Sequence, residues 1–416
     1  MSDTNSQTAC IIGFGTAGVN AAMALRSAGF EGTIRVFSDT DILPYSPILT
    51  SYYVGGEKTY DECFPWTAEE LADLDIDLVS NAHVTALDPT VHVIRTQAGE
   101  EYSYDKCLIS VGARAMTFGF PKDCGYDPLV LRTMDDAARM KEAFARPDCK
   151  RVLVSGASMI ALKSVEAALN CGLEVSLVGM NAHILDVSSQ PETAGRFQRG
   201  LATQGLSMRF EQTIASVTPR DDGRLEVAFS GGDVEVFDEI VVAHGVRSDL
   251  SFLPEGAVDI DRAIVVDDFM RTSAPDVFAA GDCAQARELI SGEKRILGIW
   301  KTAALQGQCA GHAMAAELAG EQLDAADAWQ GAFMTNTIAV NGTLFISAGV
   351  SQAGEGMRVE LSEGDQMTVA TIFEPLPDGG ERLVGFNVAS DVDEPGGVAY
   401  DTGAMLSLRI EEACRS

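Results

Sequence analysis

The sequence predicts an α/β fold: two Rossmann-like three-layer domains in one chain, followed by a smaller C-terminal α+β domain. Three observations carry this. A strand–glycine turn–helix–strand unit runs from Ala9 to Phe37. A second unit of the same plan runs from Arg151 to Gly179. Beyond about residue 326 the chain changes to short strand-like segments separated by turns.

The first unit reads ACIIGFGTAGVNAAMALRSAGF from Ala9 to Phe30. Ile11 and Ile12 close an apolar strand. Gly13, Gly15 and Gly18 fit G-x-G-x-x-G, the spacing of a turn that cradles a dinucleotide pyrophosphate. Gly13 permits the tight turn, Gly15 allows close approach of backbone to phosphate, and Gly18 lets the helix pack on the strand. Thr16 and Ala17 open that helix, where free N–H groups and the helix dipole favour an anion. The next strand, Thr33 to Phe37, leads to Asp39, placed to accept from adenosine ribose hydroxyls.

The second unit, RVLVSGASMIALKSVEAALNCGLEVSLVG, repeats the plan with changes. Gly156 is kept. Ser158 and Ala161 replace the second and third glycines, with Met159 and Ile160 between them. Gly179 stands where a ribose-binding Asp or Glu is expected, and His183 is the nearest basic residue in place of a 2′-phosphate arginine. Two readings stay open: a nicotinamide dinucleotide site (NADH or NADPH) of unusual preference, or a retained fold with a weakened or lost site.

Composition limits the remaining choices. The chain has 416 residues, enough for two to three domains. No apolar run reaches the roughly 18 or more residues of a membrane span. The opening MSDTNSQTA is polar and lacks the basic-then-apolar pattern of a secretory signal, so a cytoplasmic protein without membrane insertion is expected. Net charge is −31, from 30 Lys+Arg against 61 Asp+Glu. Such a chain repels nucleic acid at long range. Nine cysteines form no C-x-x-C or C-x-x-x-x-C pair, and five histidines show no metal-ligand spacing, so free thiols and no metal site are expected.

Further stations follow in order. YDKCLISVGARA spans Tyr104 to Ala115, with Gly112 and Arg114; IVVAHGVRSD contains Gly245; TSAPDVFAAGDCA spans Thr272 to Ala284. In the last, an apolar strand ends in Gly281-Asp282, a glycine for close approach and a carboxylate able to accept from hydroxyls. GIWKTAALQGQCAGHAMA then reads as a helix opening near Trp300. Together with LPYSP these motifs resemble the pyridine nucleotide-disulfide oxidoreductase class of two-dinucleotide-domain flavoproteins. Within that class they are most similar to the branch of the ferredoxin/rubredoxin reductases and NADH oxidases.

That resemblance implies a glutathione-reductase-like fold. It implies an FAD-binding domain over 1–122 and 253–325, an NAD(P)-binding-like domain over 123–252, and an interface domain over 326–416. The FAD contacts carried over are the first turn, Asp39, Pro44, Tyr45, Val84, Gly112, Arg114, Gly281, Asp282 and Trp300, the last by itself more often a packing residue. Gly156, Ser158, Met159, Ile160, Gly179 and Gly245 would line the nicotinamide dinucleotide site. It further implies electron passage between NAD(P)H and an acceptor through FAD. The acceptor is a redox partner protein or a small molecule. The tail implies a homodimer or hetero-oligomer, or else a simple lid.

The departures matter as much. PYSPILTSYYVGG, Pro44 to Gly56, holds no cysteine where disulfide reductases carry theirs, so thiol chemistry is not expected there and Cys63 reads as structural. Ferredoxin-reductase relatives have an Arg after Pro-Tyr and a Lys a few residues on. Here Ser46 and Thr50 or Ser51 stand there, and Lys163 takes the place of a Glu. Lys163 is either a flavin-facing charge or the partner of Glu166. Two other readings remain: an FAD-bearing electron-transfer subunit of a multi-subunit dehydrogenase, and a flavoenzyme oxidising a small organic substrate.

Overall fold

The computed structural model describes residues 7–415; the polar opening residues 1–6, on which the absence of a signal was argued, lie outside the described residues. Among the described residues eight α-helices run in chain order: α1 Thr16–Ser27, α2 Thr50–Val54, α3 Ala68–Ala72, α4 Met134–Ala145, α5 Met159–Asn170, α6 Pro191–Thr203, α7 Trp300–Ala319 and α8 Val398–Arg415. The chain forms two compact units. One gathers the N-terminal stretch to Ser46, Asp61–Arg114 and Arg247–Phe333. The other gathers Pro47–Tyr60, Ala115–Val246 and the chain from Met334 onward.

The first unit is built on a five-stranded parallel sheet. Its order is Val277–Ala279, Lys106–Ile109, Thr8–Ile12, Thr33–Phe37, Ile76–Val79. The central strands are covered on both faces, so they carry unbroken apolar runs: Ala9, Cys10 and Ile11 are fully buried, as are Cys107, Leu108 and Ile109. The unit also holds a three-stranded antiparallel sheet (Val84–Asp88, Val93–Thr96, Glu101–Ser103) and a small sheet of Ile264–Val265, Ala284–Arg287 and Lys294–Arg295. Helices α1 and α7 lie backbone to backbone. A Cβ on Gly307 would stand 2.2 Å from the Ala17 carbonyl oxygen, and one on Gly311 would stand 2.4 Å from that of Ala21. Only glycine permits so close a crossing.

The second unit has a four-stranded parallel sheet ordered Ser207–Arg209, Glu174–Val178, Arg151–Ser155, Glu239–Val242. Strand alternation sorts its two faces. Val152, Val154, Val175, Leu177 and Val241 pack under α4, α5 and α6. Leu153, Ile240 and Val242 pack against the antiparallel meander Ile214–Pro219, Leu225–Phe229, Val234–Phe237. Gly223 and Gly231-Gly232 lie in the two hairpin turns of that meander, with Gly223 and Gly232 at positive φ.

The C-terminal stretch forms a five-stranded antiparallel sheet, order 335–340, 343–349, 381–390, 367–375, 358–363, followed by α8. Its Ile338, Val340, Phe345 and Ala389 belong to the same core as α5 and α6, and Phe197 meets Phe345 with ring centroids 5.8 Å apart. The edge strand Arg358–Glu363 was not legible in the sequence. Its segment RVELSE is charged and mostly exposed, as edge strands tend to be, and it exists through pairing with Met367–Pro375. The Asn341-Gly342 turn has both residues at positive φ (48° and 78°), the geometry of a tight two-residue hairpin.

Candidate functional site

In the first unit the glycine turn is fixed from below. Gly13 has φ +102°, and a Cβ there would stand 2.4 Å from the Ser110 carbonyl oxygen. The Ser110 hydroxyl donates to the Gly13 carbonyl at 2.9 Å, and the Gly13 N–H donates to Phe37 at 2.9 Å. Ser110 lies in the ISVGARA segment and was not singled out from sequence. Gly15 faces open space: a Cβ there would meet nothing within 4 Å. It is the N-cap of α1 and supplies no side-chain cap, so the first N–H groups of α1 stay available to an external acceptor. Gly18 seats α1 on the turn: its Cβ would lie 2.2 Å from the Gly13 carbonyl oxygen.

Three elements converge at this point. Gly281, at φ +81°, would place a Cβ 3.3 Å from the Ala17 Cβ and 3.6 Å from the Ala303 Cβ. The Gly281-Asp282 turn therefore sits between the first turn of α1 and the first turn of α7. Helix α7 is also uncapped, with Ile299 at its N-cap. Trp300, its first residue, packs near Trp66 at a centroid distance of 6.3 Å, and its buried Nε1 has no hydrogen-bond partner. Two bare helix N-termini, a glycine cradle and an unpaired indole N–H form a donor set suited to an anionic, oxygen-rich dinucleotide.

The rim differs from expectation in its partners. The Asp39 carboxylate lies 3.2 Å from His83 Nδ1 and 3.0 Å from the Arg114 guanidinium, all three partly exposed. Sequence placed Asp39 and Arg114 as separate contacts and missed His83, whose approach comes through the loop before the Val84 strand. Val84 is buried at the start of that strand, and Gly112 takes φ +67° beyond the Lys106–Ile109 strand. Pro44 is buried; the Tyr45 ring meets Phe64 edge-on at 6.3 Å, and the Ser46 N–H donates to the Cys63 carbonyl at 2.8 Å. Cys63 is fully buried.

In the second unit, Gly156 has φ +125° and a Cβ there would meet the Ala243 carbonyl oxygen at 2.5 Å. Here the helix caps itself. Ser158 is the N-cap of α5, and its hydroxyl accepts the Ala161 N–H at 3.5 Å. Met159 and Ile160 form the first helical positions, and Ile160 is exposed. Gly179 is pinned by its N–H to the Arg209 carbonyl, and a Cβ on it would stand 3.1 Å from the Ala157 Cβ. His183 is paired with Asp186 at 3.0 Å. Gly245, at φ +95°, accepts the Met116 N–H at 2.9 Å. Lys163 pairs with Glu166 and lies 4.0 Å from the Tyr52 ring centroid. Burial raises the Glu166 carboxyl pKa and the Lys163 ammonium opposes that rise. Among the described residues, no His/Cys/Asp/Glu group could hold a metal ion, and no helix is long and apolar enough to cross a membrane.

Residues 7–307 match the family model described as pyridine nucleotide-disulphide oxidoreductase. The chain belongs to that family. It is an FAD-dependent oxidoreductase working with NAD(P)H. A rubredoxin-NAD(+) reductase of Pseudomonas putida is 29% identical over 68% of this chain and 73% of its own length. The epsilon subunit of an NADH-dependent phenylglyoxylate dehydrogenase of Aromatoleum evansii is 28% identical over 84% of this chain and 80% of its own. Among solved structures, an NAD-dependent persulfide reductase from A. fulgidus superposes with a TM-score of 0.86 at 22% identity, over 98% of this chain and 77% of that one.

Family members that use cysteine need a thiolate, and the thiols of this chain's first unit are unsuited to form one. Burial pushes the Cys283 thiol up to about 12, opposed by the Gly112 N–H, and pushes Cys309 up to about 11. The Cys283 thiol donates instead to the carbonyls of Ile109 and Ala280. Iodoacetamide at neutral pH should therefore leave flavin-linked electron transfer unchanged: even Cys171, the exposed cysteine among the described residues, lies in the second unit and has its thiol raised by partial burial. Loss of transfer from protein that still holds its flavin would contradict this.

Proposed function

We propose that the chain carries electrons from NADH or NADPH through FAD to a redox partner protein, with no thiol step. The observation that carries the reading is the convergence of the first turn of α1, the Gly281-Asp282 turn and the first turn of α7 at Ala17, Gly281 and Ala303, with neither helix N-terminus capped by a side chain. These residues fit FAD. Thr16 and Ala17 N–H groups would hold the pyrophosphate, Asp39 the adenosine ribose, and Asp282 the ribityl hydroxyls. When bound, FAD supplies two-electron acceptance from a nicotinamide and onward electron delivery. The uncapped N-terminus of α7 would favour negative charge on the ring edge it faces. Pro44, Tyr45 and Trp300 would limit water around the ring. In this reading the FAD-binding domain covers 1–122 and 253–325, the nicotinamide-type domain 123–252 and the interface domain 326–416. The last would mediate a homodimer or hetero-oligomer, and the protein would work in the cytoplasm.

A second reading has specific support. Ser158 caps its own helix, Gly179 offers no carboxylate, and one relative is named as a subunit of a multi-subunit dehydrogenase. The chain would then be the FAD-bearing electron-transfer subunit of a complex, with a weak nicotinamide site. Stopped-flow mixing of the oxidised protein with NADH or NADPH separates the two. Rapid bleaching of the flavin band supports the reductase; no bleaching by either nucleotide, with bleaching through a copurified partner, supports the subunit.

A further inference from the structure

Gln306 lies one turn and a half into α7 and is only 1% exposed. Its carboxamide Oε1 accepts the Gly281 N–H at 2.8 Å. Because a backbone N–H can only donate, this bond fixes which branch of the amide is oxygen. The other branch, Nε2, is buried and has no hydrogen-bond partner. Its location is defined by its neighbours. Gly281 packs between Ala17 and Ala303, and Gly307, the next residue on α7, packs on the Ala17 carbonyl. Gln306 thus occupies the wedge between the first turn of α1, the Gly281-Asp282 turn and α7. Buried amide donors are almost always paired, and two unpaired N–H groups in such a wedge indicate an acceptor that arrives from outside the chain.

We infer that Gln306 is a cofactor-binding residue: it holds the Gly281-Asp282 turn through Oε1 and donates Nε2–H to a pyrophosphate or ribityl oxygen of FAD. The inference rests on the assignment of FAD to this turn. Sequence gave no signal for it, since a glutamine in ALQGQ reads as an ordinary helix residue.

The test compares Gln306→Met and Gln306→Glu with wild type and with Asp282→Ala. Gln306→Glu keeps an acceptor for the Gly281 N–H and removes the donor, so it guards against a Met variant that fails to fold. The readouts are the rate of FAD release, followed by the rise in flavin fluorescence, and the difference in melting temperature between holo and apo protein. Loss of one hydrogen bond to a charged group corresponds to roughly tenfold or more in affinity. Both Gln306 variants should release FAD at least about tenfold faster, and the holo–apo difference should shrink. If they release FAD at the wild-type rate and only the apo protein is destabilised, Nε2 is satisfied by buried water and the inference is wrong. If Asp282→Ala also leaves FAD release unchanged, the FAD assignment of the turn fails instead.

Discussion

Gly307→Ala should yield protein with little bound flavin and a melting temperature lowered by several degrees. The added Cβ would stand 2.2 Å from the Ala17 carbonyl oxygen and 2.9 Å from the Ala17 Cα, both backbone atoms. No rotamer change can relieve a clash with backbone, so α1 and α7 must part by roughly 1 Å, at the cost of overpacking, about 1–3 kcal/mol or more. The functional loss exceeds the stability loss, because the same contact sets the cradle. Ala17 and Ala303 clamp Gly281, and parting the helices moves both bare N-termini away from a common ligand. The ratio of flavin to protein absorbance in the purified variant measures this, with calorimetry alongside. Wild-type flavin content together with a wild-type melting temperature would show that the crossing is not constrained by these glycines.

Tighter NADH binding is the second large effect, and it requires changing the altered turn. Ser158→Gly releases the Ala161 N–H from its cap for a phosphate. Replacing an N-cap serine by glycine costs α5 only a few tenths of a kcal/mol. Gly179→Glu restores a carboxylate for ribose hydroxyls. The structure adds a condition that the sequence did not show: a Cβ at 179 meets the Ala157 Cβ at 3.1 Å, so Gly179→Glu is crowded unless Ala157→Gly accompanies it. One recovered charge-assisted hydrogen bond of about 1.5–3 kcal/mol corresponds to roughly tenfold to more than a hundredfold in affinity. Titration by calorimetry should show wild type weakest, the Ser158→Gly/Gly179→Glu variant tighter, and the variant with Ala157→Gly tightest, all with unchanged FAD content. Low-micromolar binding by wild type and no gain in the variants would show that the turn is unimpaired. The subunit reading would then lose its main support.

The sequence by itself determined the two strand–turn–helix units, the strand-rich tail and the family. These rest on local chemistry. Gly13 and Gly156 take backbone angles that favour glycine, and the strands at Ala9–Ile12 and Val152–Val154 are apolar because both faces are covered. The absence of a cysteine in Pro44–Gly56 was equally plain, since it needs only the order of residues.

Tertiary structure alone decided how separated residues share one place. Ala17, Gly281 and Ala303 are far apart in the chain, and only the α1–α7 crossing brings Ala17 and Ala303 so close that a Cβ on Gly281 would stand 3.3 Å from one and 3.6 Å from the other. Sequence could name Ser158 as a replacement for glycine but not that its hydroxyl caps α5, which depends on its φ and ψ. Lys163 could pair with Glu166 on helical spacing, whereas its place over Tyr52 depends on the packing of α2 against α5. Asp39 meets His83 and Arg114 because three chain segments end at one rim. The unpaired amide of Gln306 is the sharpest instance. Its residue type is ordinary in a helix, and only the wedge around it turns a buried donor into a binding group.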